Sequence, residues 1–227
     1  MRTHFNNELQ ELRNAILSMG SQVGEELGLA VQAYRDLDVN AAERVMAYDR
    51  RVNEQRFKIE DDCVGLIVMQ QPAARDLRAI LSALHMTTDL ERMGDQAKGI
   101  AKVSPYLVKH PNQQRPPQLL EMAALVTSML DMAMKAYAED DVALAQAVGP
   151  MDDRVDELYE EVFHFAMERL STTDGVTQVE AVYELLRLAR ELERFGDLAT
   201  NLAERVVYLV TGTIDEVNMD SDEELLV

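Results

Sequence analysis

Leu90-Glu91-Arg92-Met93-Gly94-Asp95 returns later in the chain as Leu192-Glu193-Arg194-Phe195-Gly196-Asp197. The match does not end there. The same register carries Ala101 onto Ala203 and Tyr106-Leu107-Val108 onto Tyr208-Leu209-Val210. Upstream, in a register one residue longer, Asp38-Val39 falls on Asp141-Val142. Without a gap, Val45 then meets Val148, Asp49 meets Asp152, Arg51 meets Arg154, Val52 meets Val155 and Glu54 meets Glu157. Two ungapped matches in the same order mark an internal duplication. The single-residue change of register falls between two helices, where a loop absorbs it.

Each copy is helical. Around the second hexapeptide, Leu185, Leu188, Leu192, Phe195, Ala199, Leu202, Val206 and Leu209 recur at steps of three and four, which is one face of an α-helix. The same periodicity predicts helices over about 5–36, 41–70, 73–108, 118–139, 141–170 and 176–210. Asp38-Val39-Asn40 reads as a turn and N-cap. Gln71-Pro72 stops the second helix, because proline lacks an N–H and restricts its predecessor. Gly149-Pro150 is expected to kink the fifth helix. The fold class is therefore all-α, as two tandem, internally duplicated three-helix bundles. The first spans 1–110 and the second 118–212. They are joined by a Pro-rich linker at 111–117, and 213–227 forms an acidic tail with no base, expected to be disordered.

Composition agrees with helix. Of 227 residues, 47% are hydrophobic and only 5% aromatic, with 13 methionines and no tryptophan. The formal charge of −19 repels nucleic acid and anionic membrane surfaces, and attracts divalent cations or basic partners. The single Cys63 excludes an internal disulfide, and its acidic neighbours mark it as a buried structural thiol. No apolar run resembles a signal peptide or a membrane span, so the cytoplasm is expected.

Carboxylates flank the apolar stripes in both copies. Glu91 and Asp95 lie beside one stripe and Glu193 and Asp197 beside its repeat, about 100° round the helix. On the preceding helices stand Asp49 and Asn53, and Asp152 and Asp156. Like charges at i, i+4 cost about 0.2–0.5 kcal/mol per pair on a solvated helix, and more against a bundle seam. A cation between facing helices reverses that sign, and helix bundles hold metals in this way. Oxygen-only ligands favour Mg²⁺, Ca²⁺, Mn²⁺ or iron. Solvated acidic faces are the simpler reading of any one pair; the recurrence at the same helical phase is what favours a cation. Gly94 and Gly196, each inside a helix at a cost of about 1 kcal/mol, fit close helix approach beside the acids.

His4, His85, His110 and His164 fall on four segments; the one Glu-x-x-His, Glu161 to His164, has Lys58 and Asp61 at its repeat positions and so lacks the second copy a di-iron bundle needs, and no phosphate-binding loop or nucleophile motif is present. On residues alone three readings stand: a metal-requiring adaptor, a metal-dependent bundle enzyme (phosphohydrolase or redox), and a purely structural bundle. The enzyme would need a general base near the acids, and no histidine is in phase.

The duplicated segments 89–95 and 191–197, the turn Gln70-Gln71-Pro72-Ala73-Ala74-Arg75-Asp76-Leu77-Arg78, and the Asp-x-x-Val-Asn/Asp segments at 49–53 and 152–156 resemble the PhoU family. The resemblance covers about residues 3–212. It implies pseudo-two-fold symmetry between the two bundles and a metal site in each half: Asp49, Asn53, Glu91 and Asp95 in the first, and Asp152, Asp156, Glu193 and Asp197 in the second. The ions implied are divalent or trivalent: Fe, Mn, Mg or Zn. Asn53, where an acid is expected, leaves the first set less charged. The resemblance further implies a non-enzymatic, dimeric regulator that restrains the phosphate-starvation response. Its implied partners are the ATPase subunit of a phosphate ABC transporter and a sensor histidine kinase, through which it reaches the membrane.

Overall fold

The computed structural model describes residues 2–110, 113–172, 175–213 and 217, and every regular element among them is a helix. The first half holds α1 (Arg2–Asp36), α2 (Val39–Gln70), α3 (Arg75–Ala101) and the short α4 (Ser104–Leu107). The second holds α5 (Gln118–Glu139), the short α6 (Val142–Gln146), α7 (Gly149–Thr172) and α8 (Val176–Thr211). The short helices mark the two places where the six expected helices are interrupted. Pro105, at the start of α4, has no N–H to continue the ladder of α3, so α3 ends at Ala101 and a turn intervenes. Its counterpart in the second half is Val207, and α8 runs through unbroken. Pro150 acts likewise, and more strongly than as a kink: it separates α6 from α7, whereas the corresponding α2 is continuous.

The duplication is visible in backbone detail. Leu37 and Asp140 both adopt left-handed conformations, with φ of 53° and 54°. The next residues, Asp38 and Asp141, each donate their N–H to a carbonyl five residues back, on Ala33 and Ala136, both at 3.0 Å. This is the closing pattern of a helix C-terminus. Both aspartates then cap the following helix: Asp38 accepts from the N–H groups of Asn40 and Ala41, and Asp141 from that of Leu144. One residue type therefore ends one helix and starts the next, twice.

Within each half the three long helices pack on one another, and between halves α3 lies along α8 and α1 against α5. One continuous core results, running from Phe5 and Ile16 through Leu90 and Met93 to Phe195 and Leu209. Complete burial of side chains such as Phe195, Ile16 and Leu90 contributes about 1.5–3 kcal/mol each. Arg115, in the proline-rich connection, donates from Nη1 to the carbonyls of Tyr34 (2.8 Å) and Arg35 (3.1 Å), and stacks over the Tyr34 ring. It satisfies two of the open carbonyls at the end of α1 and ties the connection to the first half. At the opposite end, Arg13 of α1 pairs with Asp140 at 2.7 Å and donates to the Tyr137 carbonyl, joining α1 to the end of α5. The tail expected to be disordered lies outside the described residues, apart from Thr213 and Val217.

Candidate functional site

The acids singled out by spacing lie at two equivalent places, where the helix carrying the hexapeptide meets the helix before it. In the first half this is the α2–α3 seam. Lys98, one turn beyond Asp95 on α3, reaches between the helices. Its ammonium lies 2.9 Å from Asp49 Oδ1 and 2.7 Å from Asp95 Oδ1. Glu91 pairs with Arg56 of α2 at 3.0 Å, and Arg56 also holds Glu60 at 2.8 Å. Asn53 turns into its own helix, donating from Nδ2 to the Asp49 carbonyl at 3.1 Å. The structure thus joins Asp49 to Asp95 through Lys98, sets Glu91 apart with Arg56, and directs the Asn53 amide to the backbone.

A residue outside the spacing pattern completes this half. Glu26 of α1 is fully buried, and neither carboxylate oxygen has a hydrogen-bond partner. Burial foremost, then Asp49, with a smaller push from Asp95 against the pull of Lys98, raises its carboxyl to about 8. At neutral pH it is protonated. The signal for Glu26 is in the sequence. It follows Val23 on the apolar stripe of α1, and the duplication places an apolar residue, Met129 of α5, in its position.

The second half is built from α7 and α8 with Met129 as its floor. Asp152 is buried, its Oδ1 lying 3.0 Å from where a β-carbon on Gly196 would be, and Met129 Cε is 3.6 Å from the same point. Gly196 therefore lets α8 close onto the carboxylate. Glu193 is half-buried: Oε1 accepts from Arg190 at 2.8 Å, while Oε2 is buried with no partner. Its carboxyl is pushed up to about 7, first by burial and then by Asp197, with Asp156 adding and Arg190 opposing. Asp156 and Asp197 stand at the mouth, open to solvent on their outer sides. Burial of their inner sides raises both, and Asp197 raises Asp156 further. Asp156, Glu193 and Asp197 are thus mutually repelling groups from two helices. No three His, Cys, Asp or Glu side chains among the described residues close into a ready set around one point.

The position of Lys98 is taken here by Thr200, whose hydroxyl donates to the Gly196 carbonyl at 3.3 Å within α8. That of Arg56 is taken by Tyr159, over which Arg190 stacks at 5.8 Å. The two sites share three of four acidic positions, with Asn53 where the second half has Asp156, and differ in the side chains that neutralise them.

The PhoU domain model matches residues 16–104 and 119–206, one copy on each half. The chain is 33% identical over 218 residues to the phosphate-specific transport system accessory protein PhoU homolog of Clostridium acetobutylicum, covering 96% of this chain and 99% of that protein. It is 34% identical over 212 residues to the homolog of the same description from Pseudomonas aeruginosa, covering 92% of this chain and 86% of that one. Among solved structures it superposes on the phosphate transport system regulatory protein PhoU of Streptococcus pneumoniae with a TM-score of 0.86 at 31% identity, covering 93% of this chain and 99% of that one. On PhoU of Pseudomonas aeruginosa the TM-score is 0.82 at 34% identity, covering 92% of this chain and all of the other.

Proposed function

The chain belongs to the PhoU family, and from that premise we propose that it is an accessory regulator of phosphate transport that restrains the phosphate-starvation response without catalysing a reaction. The observation that carries this reading is the match of both halves, in order and almost end to end, to proteins described as accessory or regulatory. The site agrees with it. Its acids come from facing helices, and among the described residues the groups held against them are Lys98, Arg56 and Arg190. No helix among the described residues is long and apolar enough to cross a membrane. We place the protein in the cytoplasm, between the ATPase subunit of a phosphate ABC transporter and a sensor histidine kinase. It meets the membrane only through them. Phe57, Val64 and Val68, exposed on one face of α2, offer an apolar surface to a second copy.

A cation belongs to this reading as a structural element. Asp156, Glu193 and Asp197, with Asp152 behind them, are the residues that would hold it. Glu193 Oε2, buried and without a hydrogen-bond donor, is the observation that fits such an ion. Oxygen-only donors favour Mg, Mn or Fe over Zn, which prefers nitrogen and sulfur. The ion would supply positive charge that draws α7 and α8 together where their acids now push apart.

The test is a strain lacking this chain, carrying a reporter of phosphate-starvation genes and grown in abundant phosphate. The reporter is expected to be on, and to be silenced by the intact chain. Co-purification with the transporter ATPase subunit is expected in the same cells. A reporter that stays off in the deletion strain would overturn the regulatory role.

A further inference from the structure

Both halves carry the acidic pattern, and so the duplication by itself implies two equivalent cation sites. The side chains around the acids do not. In the first half the space between Asp49 and Asp95 is spanned by the Lys98 ammonium at 2.9 and 2.7 Å, close enough for charge-assisted hydrogen bonds to both. Glu91 has the Arg56 guanidinium at 3.0 Å. In the second half the residue in the place of Lys98 is Thr200, with its hydroxyl turned to its own helix. The residue in the place of Arg56 is Tyr159.

The differences between halves move together. Where the first half has Lys98, it also has Asn53 in place of an acid and the buried Glu26 beneath Gly94, with Glu26 Oε2 3.1 Å from the β-carbon position of that glycine. Where the second half has Thr200, it has Asp156 and Met129. Replacing Lys98 by threonine alone would leave Asp49 and Asp95 facing each other over the buried Glu26. Placing a lysine at Thr200 would add a cation one turn beyond Asp197, where Arg190 already serves Glu193. Each set is consistent only with its own partners.

We propose that the two halves have divided the task. The first neutralises its carboxylates with the chain's own Lys98 and Arg56 and takes no metal. The second alone takes a hard divalent cation, giving one ion per chain. This rests on the cation reading of the second half given above. It makes the first half a fixed brace between α2 and α3, independent of metal supply. The second half is the part whose α7–α8 packing responds to an ion.

The experiment is equilibrium dialysis of the full chain against Mn²⁺, with elemental analysis of the bound metal. Wild type is expected to bind one Mn²⁺. Asp49→Asn/Asp95→Asn is expected to keep it, and Glu193→Ala/Asp197→Ala to lose it. Lys98→Thr/Asn53→Asp/Arg56→Tyr/Glu26→Met, which rebuilds the second-half pattern in the first, is expected to bind two. Two ions on wild type, or loss of the one ion in the Asp49/Asp95 variant, would overturn the division while leaving the cation reading intact. No ion on wild type would take both down. Thermal melts in EDTA give a readout independent of metal. Lys98→Met is expected to lower the melting temperature, and adding Asp49→Asn/Asp95→Asn to restore most of it. A Lys98→Met protein that melts with wild type would show that the ammonium is not the counterion of this half.

Discussion

Glu26 Oε2 lies 3.1 Å from the point where a β-carbon on Gly94 would sit, so a fully buried carboxyl on α1 occupies the gap that this glycine leaves in α3. An acid in such a place is tolerated because it is neutral. Its carboxyl, raised to about 8 chiefly by burial, keeps a proton that an unfolded glutamate would release near 4.5. The folded state then binds more protons than the unfolded one between those values, and stability falls as pH rises through that window. Glu26→Gln is expected to melt close to wild type at pH 5. At pH 9 it should be more stable by on the order of 3 kcal/mol. Denaturant unfolding at the two pH values measures this; equal differences at both would mean that Glu26 is already ionised in the folded protein.

Glycines in these helices divide by what surrounds them. A β-carbon on Gly28 meets nothing within 4 Å, whereas one on Gly99 would lie 2.6 Å from Glu191 Cδ of α8. Gly28→Ala is expected to stabilise by up to about 1 kcal/mol through helix propensity. Gly99→Ala should destabilise, because Glu191 must leave the α3–α8 seam. Adding Glu191→Ala to Gly99→Ala should recover the propensity gain. A stabilising Gly99→Ala on its own would show that Glu191 moves aside freely.

Cys63 is buried in the α2–α3 packing with its Sγ 3.9 Å from the Ile80 carbonyl. Its thiol is pushed up to about 12, by burial first and by Asp62 and Glu60 after it. The thiolate is the reactive form. A disulfide-exchange reagent at pH 8 is expected to leave the native protein unlabelled for hours and to label it within minutes in denaturant. Fast labelling of the native protein would place the thiol at a surface.

The helices and the duplication were legible because they depend on the apolar period and on local stops such as Pro72 and the Asp38 and Asp141 caps; the packing of α3 on α8 and of α1 on α5 was not. The break at Pro105 was readable too, but the periodicity on both sides of it runs on and masks it. The acids were legible as helical phases; their neutralisation was not. Lys98 is three residues from Asp95, the spacing of an ordinary surface pair. Only the packing of α2 on α3 shows that it also reaches Asp49. Glu26 looks solvated by residue type, and its place after Val23 on the apolar stripe, with Met129 at its repeat position, is the sequence sign that the site is buried.

In the second half pH and metal act in opposition. Glu193 is raised to about 7, first by burial and then by Asp197. Without metal, the folded protein holds a proton there that an unfolded glutamate releases near 4.5, so the contribution of this group is lost as pH rises from about 4.5 through 7. A bound cation favours the charged carboxylate and removes the cause of the shift. In EDTA the melting temperature should therefore fall between pH 5 and pH 8, and Mn²⁺ should reverse most of the site's share of that fall. Binding to the folded state alone stabilises by about 2.7 kcal/mol when free metal is 100 times its dissociation constant. Glu193→Gln should remove its own share of the fall in EDTA, leaving that of Glu26, and blunt the response to Mn²⁺ at pH 8, while Glu26→Gln should keep the Mn²⁺ response. Melts of the three proteins across pH, with and without Mn²⁺, separate the two carboxyls. A Mn²⁺ shift that survives Glu193→Gln undiminished would place the ion away from the α7–α8 acids.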